Sequence, residues 1–191
     1  SIRRRQRQMC IRDRSTAVTN LSLLPGSRSV RDVERIADQA RAGSMVLSNH
    51  LSCGLNAWDY CLIDCPPSLG ELTRTALAGS TEVLMPIQCE YFALEGLTQM
   101  IEVIRDVMAD QPGRLSFSGI VLTMHDANLE LTTEVEREVR DFFGEIVFDT
   151  VIPRDVTVSE APSHALSVLD YAPRSLGARA YTELCLSLIH I

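Results

Sequence analysis

Apolar residues recur along this chain with two spacings, one typical of buried strands and one typical of amphipathic helices. Short, mostly apolar segments predict strands at residues 21–24, 60–63, 83–87, 117–124 and 146–152, and the run at 60–63 is continuously apolar up to Asp64. Apolar residues three and four positions apart predict helices that begin near residues 29, 71, 94, 131 and 175. This alternation predicts an α/β fold, with a mostly parallel sheet covered by helices on both faces.

The segments that follow these strands are the places to look for a site, because parallel sheets bind ligands beyond the carboxyl ends of their strands. Four such segments are rich in polar residues, Pro and Gly: residues 64–70, 88–95, 123–128 and 153–163. The pattern therefore predicts one site assembled from several loops at one edge of the sheet.

Composition supports a globular domain and narrows the choice of partners. The 191 residues are 46% apolar, which is enough to bury a core in one domain. All 18 basic residues are Arg, and six of them fall within residues 1–14, so that residues 15–191 carry 12 Arg against 24 acids, a net charge of −12. This acidic body argues against nucleic-acid binding through bulk charge.

Membrane and disulfide signals are both weak in this sequence. No apolar run approaches the ~18 residues needed to span a bilayer. The six Cys show no C-x-x-C pair and no regular framework, so we expect reduced thiols and a cytoplasmic location.

The two ends encode related DNA. Residues 9–14 can be written with codons whose reverse complement encodes residues 186–191, a relation that resembles a transposase adapter used to prepare sequencing libraries. We therefore expect residues 1–14 and 186–191 to be adapter sequence, and residues 15–185 to be an internal piece of a longer reading frame. The alternative is a basic targeting arm at one end and a frayed helix at the other.

Asp64 ends a predicted strand, at the position where P-loop nucleotide hydrolases place the carboxylate that holds Mg²⁺ through water. A turn or a helix cap is the simpler interpretation of an aspartate at this point. The two prolines and the glycine that follow it predict a rigid turn, one able to respond to a neighbouring phosphate.

Five segments, in order, resemble the chromosome and plasmid partition ATPases called ParA or Soj: YCLIDCPPSLG (60–70), PIQCEYFALEG (86–96), GIVLTM (119–124), VIPR (151–154) and SEAPSH (159–164). The similarity covers most of residues 20–184. It implies a P-loop NTPase (Rossmann-like) fold, of which residues 15–185 would be the C-terminal part. It also implies ATP and Mg²⁺ as cofactors, an ATP-dependent homodimer, non-specific DNA binding, stimulation by a ParB-like protein, and a cytoplasmic, nucleoid-associated location without a membrane.

The resemblance also implies residue roles. Asp64 matches the Walker B aspartate, which binds Mg²⁺ through water. The switch that senses the γ-phosphate matches Cys65, Pro66, Pro67, Ser68 and Gly70. The loops at the dimer interface match Gln88, Glu90, Tyr91, Glu95, Ser159 and Glu160. The residues that contact the nucleotide base match Met124, Pro153, Arg154 and Asp155. Candidates for DNA phosphates are Arg140, Arg174 and Arg179.

Each of these roles has a structural alternative. The switch could be a turn before a capped helix, and the 88–95 loop a solvated helix start. Met124 could belong to the core and Pro153 could end a strand, while the three arginines could be solvated or helix-terminal. His164 receives no chemical role, His50 and His125 are interpreted as isolated, and no Cys/His spacing indicates zinc.

The chain departs from the family in one large respect, since it contains no G-x-x-x-x-G-K-[ST] string and no Lys. We therefore expect the chain as written not to hydrolyse ATP. Smaller departures are Gly144-Glu145 and Leu176 at positions that are often basic, and Ala165-Leu166-Ser167 in place of the usual Gly-Lys-Pro. The alternatives are a MinD-like membrane-positioning ATPase and a non-catalytic interaction module without a P-loop.

Overall fold

The computed structural model describes residues 14–16, 18–25, 47, 58–66, 69–91 and 93–189. Two compact units divide the chain, the first containing Ser1–Thr81 and Val103–Leu115 and the second Glu82–Glu102 and Ser116–Ile191. No helix among the described residues is long and apolar enough to cross a membrane.

Strands and helices alternate from β2 to α3, as the sequence pattern predicts. In chain order, the elements of the described residues are β1 (Arg14–Ser15), β2 (Ser22–Leu23), α1 (Glu71–Gly79), β3 (Glu82–Gln88), α2 (Ala93–Asp110), β4 (Ser116–Thr123), α3 (Glu130–Phe143), α4 (Val156–Glu160), α5 (Val168–Tyr171) and α6 (Leu176–Ile189). Short 3₁₀ turns occupy Gly144–Ile146 and Ala161–His164. The helix expected from residue 29 lies outside the described residues.

A parallel pair of strands, β3 and β4, forms the sheet of the second unit. Their register changes between Val83 and Leu84, where Gly119 opposes Leu84. Gly119 has φ +147°, and a Cβ at this position would lie 2.6 Å from the Phe148 ring and 2.8 Å from the Ile146 carbonyl oxygen. Only glycine fits this bulge, because any larger residue would need both an unfavourable backbone conformation and space that is already filled.

The expected strand at 146–152 forms only in part. Ile120 bridges Val147 and His125 bridges Pro153, both in parallel fashion. The segment between these bridges bends at Asp149 instead of continuing as a regular strand. The prediction of a regular strand was therefore only partly right, since backbone hydrogen bonds from Phe148 and Ile152 to β4 remain on either side of the bend.

The prediction of a buried strand at 60–63 was wrong. Residues 60–66 have no regular secondary structure, and Leu62 is 95% exposed. A strand needs a neighbouring chain to accept its backbone hydrogen bonds, and no described residue pairs with this segment.

The second unit has a core that joins the sheet to the last helix. Val121 and Ile152 pack with Ala180 and Leu184 of α6, and Phe148, Tyr181 and Leu188 pack against them. Each buried aliphatic side chain contributes about 1.5–3 kcal/mol to folding. This packing places the start of α6 beside the carboxyl end of β4.

Candidate functional site

The Asp64–Gly70 segment belongs to the first unit. Asp64, Cys65 and Pro66 are exposed, while Pro67 and Ser68 lie outside the described residues. Partial burial and the neighbouring Asp64 carboxylate both raise the pKa of the Cys65 thiol. Gly70 precedes α1 and accepts a backbone hydrogen bond from Arg74, without a side-chain cap. The role of Asp64 in binding Mg²⁺ stays a prediction, and no group of three or more potential metal ligands occurs among the described residues.

The second unit brings two of the predicted base-binding segments together at the carboxyl end of β4. His125 donates its backbone N–H to the Ile152 carbonyl, at 3.2 Å, and its own carbonyl accepts from the Arg154 N–H, at 2.7 Å. Met124, directly before it, is half-buried with φ +56°, a left-handed conformation that is unfavourable for a side chain of this size. Met124 and Pro153 are therefore held near each other by backbone hydrogen bonds.

Asp126 fixes the turn that leads from β4 into α3. Its Oδ1 accepts from both the backbone N–H and the side-chain amide of Asn128, each at 3.0 Å. These hydrogen bonds hold the pKa of the Asp126 carboxyl below its ordinary value. The Thr132 hydroxyl lies within hydrogen-bonding distance of the Asp126 and Leu129 carbonyl oxygens, which secures the start of α3.

The Asp155 carboxylate, which was expected beside the base, accepts hydrogen bonds from backbone amides at the starts of two helices. Oδ1 accepts from the Thr157 N–H at 2.9 Å, at the beginning of α4, and Oδ2 accepts from the Gly177 N–H at 2.8 Å, at the beginning of α6. Led by the Gly177 bond, these interactions hold the pKa of Asp155 below its ordinary value. Helix N-termini favour a negative charge, so this geometry supports a structural role.

The residues of the predicted 88–95 loop lie at and just after the carboxyl end of β3. Gln88, Glu90, Tyr91 and Glu95 are all exposed. One of them reaches another predicted site segment, since Glu90 Oε1 lies 3.6 Å from the Arg154 guanidinium. Both partners of this ion pair are at least half exposed, so we expect it to contribute less than about 1 kcal/mol.

Ser159 and Glu160 lie on the exposed side of α4. The Tyr171 hydroxyl donates to Glu160 Oε2 at 3.3 Å, and the Tyr171 ring stacks on His164 with centroids 4.8 Å apart. Between these residues, Ala165 has φ +54°, a left-handed conformation that glycine adopts more readily. The alanine that replaces the family's usual glycine therefore sits where the backbone favours glycine.

Sequence reasoning missed a group of charged side chains near the carboxyl end of β4. Glu136 of α3 lies with Oε1 2.9 Å from Arg140 Nε and with Oε2 3.1 Å from His125 Nε2. The interpretation of His125 as isolated was therefore wrong. The spacing of Glu136 and Arg140 on a helix, four residues apart, could have indicated their pairing, but nothing local in the sequence connects either of them with His125.

Cys89, at the end of β3, borders this charged group. Its side chain is 1% exposed. Burial raises the pKa of its thiol to about 11, with a further upward contribution from Glu136 and a downward one from Arg140. A thiol in this state is protonated and inert at neutral pH.

The three arginines predicted to bind DNA have different surroundings. The Arg140 guanidinium is engaged by Glu136 and donates to the Asp149 carbonyl at 3.4 Å. Arg174 and Arg179 are exposed. Arg179 also borders an open depression of about 310 Å³ in the second unit, which is lined by His125, Val151, Pro153, Leu176, Arg179, Ala180 and Glu183. Contacts of these arginines with DNA stay predictions.

Comparison with protein families gives a match to an AAA domain over residues 3–117. The chain is 43% identical over 178 residues to the chromosome-partitioning ATPase Soj of Treponema pallidum, which covers 92% of this chain and 70% of that protein. It is 40% identical over 176 residues to the chromosome partitioning protein ParA of Caulobacter vibrioides, covering 91% of this chain and 66% of that protein.

Solved structures agree with this relationship. A cobyrinic acid a,c-diamide synthase from Mycobacterium smegmatis, with a bound ATP analog and magnesium, superposes with a TM-score of 0.73 at 29% identity, covering 88% of this chain and 62% of that one. The cell division ATPase MinD of Pyrococcus furiosus gives 0.70 at 22% identity, covering 93% and 69%, which shows the shared fold alone. With these matches and the α/β fold around a parallel sheet, the chain belongs to the Soj/ParA family of chromosome-partitioning ATPases.

Proposed function

We propose that this chain is part of an ATPase that partitions chromosomal or plasmid DNA. In this proposal the intact protein dimerises when it binds ATP with Mg²⁺, the dimer binds DNA without sequence specificity, and a ParB-like protein stimulates hydrolysis in the cytoplasm, on the nucleoid. Membership of the Soj/ParA family supports the partitioning role. The observation that carries the proposal is the backbone pairing of His125 with the 152–154 segment, because it gathers Met124 and Pro153 at the carboxyl end of β4.

The residues present fit the base end of a nucleotide. Val151, Pro153 and Ala180 give the depression an apolar surface, and His125, Arg179 and Glu183 add polar groups. Apolar walls with a few polar groups suit a flat heteroaromatic ring. Pro153 lines this depression and would contact the base, and Met124, held near Pro153 by the backbone hydrogen bonds of His125, would lie beside it. Asp64 would hold Mg²⁺ through water.

The set of residues that would bind the phosphates of the nucleotide is less complete. Bound ATP supplies the phosphoryl group whose transfer drives the family's cycle, and a P-loop with its Lys normally surrounds these phosphates. The sequence contains neither such a loop nor any Lys. We therefore propose that the 191-residue chain does not itself hydrolyse ATP, and that hydrolysis belongs to a reading frame in which a P-loop precedes residue 15.

The test is to recover the source DNA upstream of codon 15, to express both the extended and the 191-residue protein, and to measure phosphate release and DNA binding with and without ATP and Mg²⁺. The extended protein should hydrolyse ATP and bind DNA more tightly with ATP, and Asp64→Ala should abolish hydrolysis. Asp59→Ala, on the same exposed segment, is the matched control and should leave hydrolysis unchanged.

A start codon directly before codon 15, together with a stable chain that does not bind ATP, would contradict the proposal. That result would favour the second candidate, an interaction module that has kept the fold without the P-loop. The absence of Lys is the observation that favours this alternative.

A further inference from the structure

The charged group of Glu136, Arg140 and His125 connects α3 with the depression, because His125 belongs to this group and also lines the depression. The side chains of Glu136, Arg140 and His125 are only 26%, 30% and 16% exposed. Cys89, Asp126 and Arg154 are the other titratable or charged groups with electrostatic links to this group. A carboxylate this well shielded from water exerts a stronger field on its neighbours than a surface carboxylate does.

Backbone hydrogen bonds hold both the N–H and the carbonyl of His125, so the position of the proton on its ring is what neighbouring groups can change. Its Nε2 is buried and faces Glu136 Oε2 at 3.1 Å, although this pair lacks the alignment of a regular hydrogen bond. A neutral imidazole carries its proton on one nitrogen and accepts through the other. A nearby carboxylate favours the proton on the nitrogen that faces it, which here is Nε2.

His125 is also one of the residues that line the depression. Because Nε2 is buried beside Glu136, the ring can face the depression only with Nδ1 or its carbon atoms. When the proton is on Nε2, Nδ1 is left as an acceptor. An acceptor at the rim of an apolar depression favours a ring that carries a hydrogen-bond donor at its edge.

We propose that Glu136 is a positioning residue that holds the proton of His125 on Nε2, so that Nδ1 accepts a hydrogen bond from the 6-amino group of an adenine ring in the depression. The inference rests on the proposed function, which supplies the nucleotide. It adds base selectivity, since the 6-position of hypoxanthine or guanine carries a carbonyl oxygen that cannot donate to Nδ1. A site built to pair with a donor rejects the analogue that lacks it.

The experiment uses nucleosides, because adenosine and inosine differ at the 6-position and need no phosphate site. Their dissociation constants are measured with the 191-residue chain by NMR titration. A neutral hydrogen bond corresponds to a difference of about fivefold to tenfold, so wild type should bind adenosine more tightly than inosine by that factor. Glu136→Ala should reduce the ratio to about one.

Imidazole ¹⁵N spectra give a readout that does not depend on ligand binding. In wild type the His125 ring should carry its proton on Nε2, and in Glu136→Ala it should show a mixture of the two tautomers, while the exposed His164 stays unchanged as an internal reference. Glu134→Gln, on the exposed side of the same helix, is the matched control and should alter neither readout. His125→Leu, which keeps the volume of the site, should also lose the preference for adenosine, and it serves if Glu136→Ala does not fold.

The outcomes separate the inference from the proposed function. If wild type prefers adenosine and Glu136→Ala keeps both the preference and the tautomer, the inference is overturned and nucleotide binding stands. Equal binding of both nucleosides by wild type also overturns it. If wild type binds neither nucleoside, the proposed base site fails and the inference fails with it.

Discussion

The 60–70 segment and the carboxyl end of β4 both match the motifs of a partition ATPase, yet they are in opposite physical states. Residues 60–66 are exposed and without regular structure, whereas Met124 and His125 are held by backbone bonds to the 152–154 segment. The first region depends on neighbouring strands to become a strand, and no described residue supplies one. The second contains its own neighbours, so its geometry forms within one unit. Among the described residues, the motif at the carboxyl end of β4 therefore has a defined geometry and the 60–70 motif does not.

Thiol reactivity should show the largest difference between the two regions. Cys61 is exposed and Cys89 is buried with a pKa of about 11, compared with 9.0 for a free thiol. The smaller thiolate fraction alone should slow the labelling of Cys89 by about a hundredfold, and burial should slow it further. Labelling at pH 8, followed by mass spectrometry of each Cys peptide, measures this ratio. Rates within tenfold of each other in the native protein would contradict the structure, while denaturant should make the two rates similar.

Gly119→Ala should disrupt the ordered region most strongly. The added Cβ meets the Phe148 ring and a carbonyl oxygen in a backbone conformation that alanine rarely adopts, so we expect a loss of about 2–4 kcal/mol in the free energy of unfolding. Urea denaturation followed by circular dichroism measures the loss. Gly96→Ala is the matched control, since nothing lies within 4 Å of a Cβ there and the helix should gain stability. Equal midpoints for the two variants would contradict the proposed packing at the bulge.

Asp155→Ala separates a structural role from base binding at the edge of the ordered region. Removing the carboxylate leaves two helix starts without their acceptor, and should lower the free energy of unfolding by about 1–2 kcal/mol at pH 7. Because the folded-state pKa of Asp155 is lowered, this stabilisation is present above the unfolded-state pKa of about 4 and is lost as pH falls through the folded-state value. The difference between wild type and variant should therefore shrink towards pH 2.

Urea denaturation at several pH values measures this difference for Asp155→Ala. Asp149→Ala, an exposed aspartate of the same unit, should change stability little at any pH. A variant that keeps full stability and loses only nucleoside binding would contradict the capping role.

Ala165→Gly should have the smallest effect, and in the opposite direction. The left-handed backbone at this position is unfavourable for alanine, so glycine should raise the free energy of unfolding by about 0.5–1 kcal/mol. Thermal unfolding measures the gain. Ala172→Gly, at a position with φ −140°, is the matched control and should give no gain. A loss of stability in Ala165→Gly would contradict the conformation of this turn.

The sequence predicted the elements that bury an apolar face within one helix or strand, and was less successful where distant residues decide. The 3.6-residue spacing placed α2 and α3 correctly, with Gly144 as the C-cap of α3. It could not predict that residues 60–63 would find no partner strand, or that residues 146–152 would bend. Both depend on hydrogen bonds to other parts of the chain.

The same division holds for the candidate site. Met124, Pro153 and Arg154 could be named because motifs carry them, and the structure does bring their segments together. The His125 and Glu136 pair lay in no motif, since only the folded chain brings the two residues together. The hydrogen bonds from two helix starts to Asp155 could not be predicted either, because Gly177 lies far from Asp155 in the sequence.

One carboxylate shared by two helices should also determine how this part of the molecule opens. Asp155 serves the first turn of α4 with one oxygen and the first turn of α6 with the other. A motion that frees the carboxylate exposes the amides of Thr157 and Gly177 together. Hydrogen exchange at these two amides should therefore proceed at similar rates and respond in parallel to denaturant, so that α4 and the start of α6 behave as one cooperative opening unit.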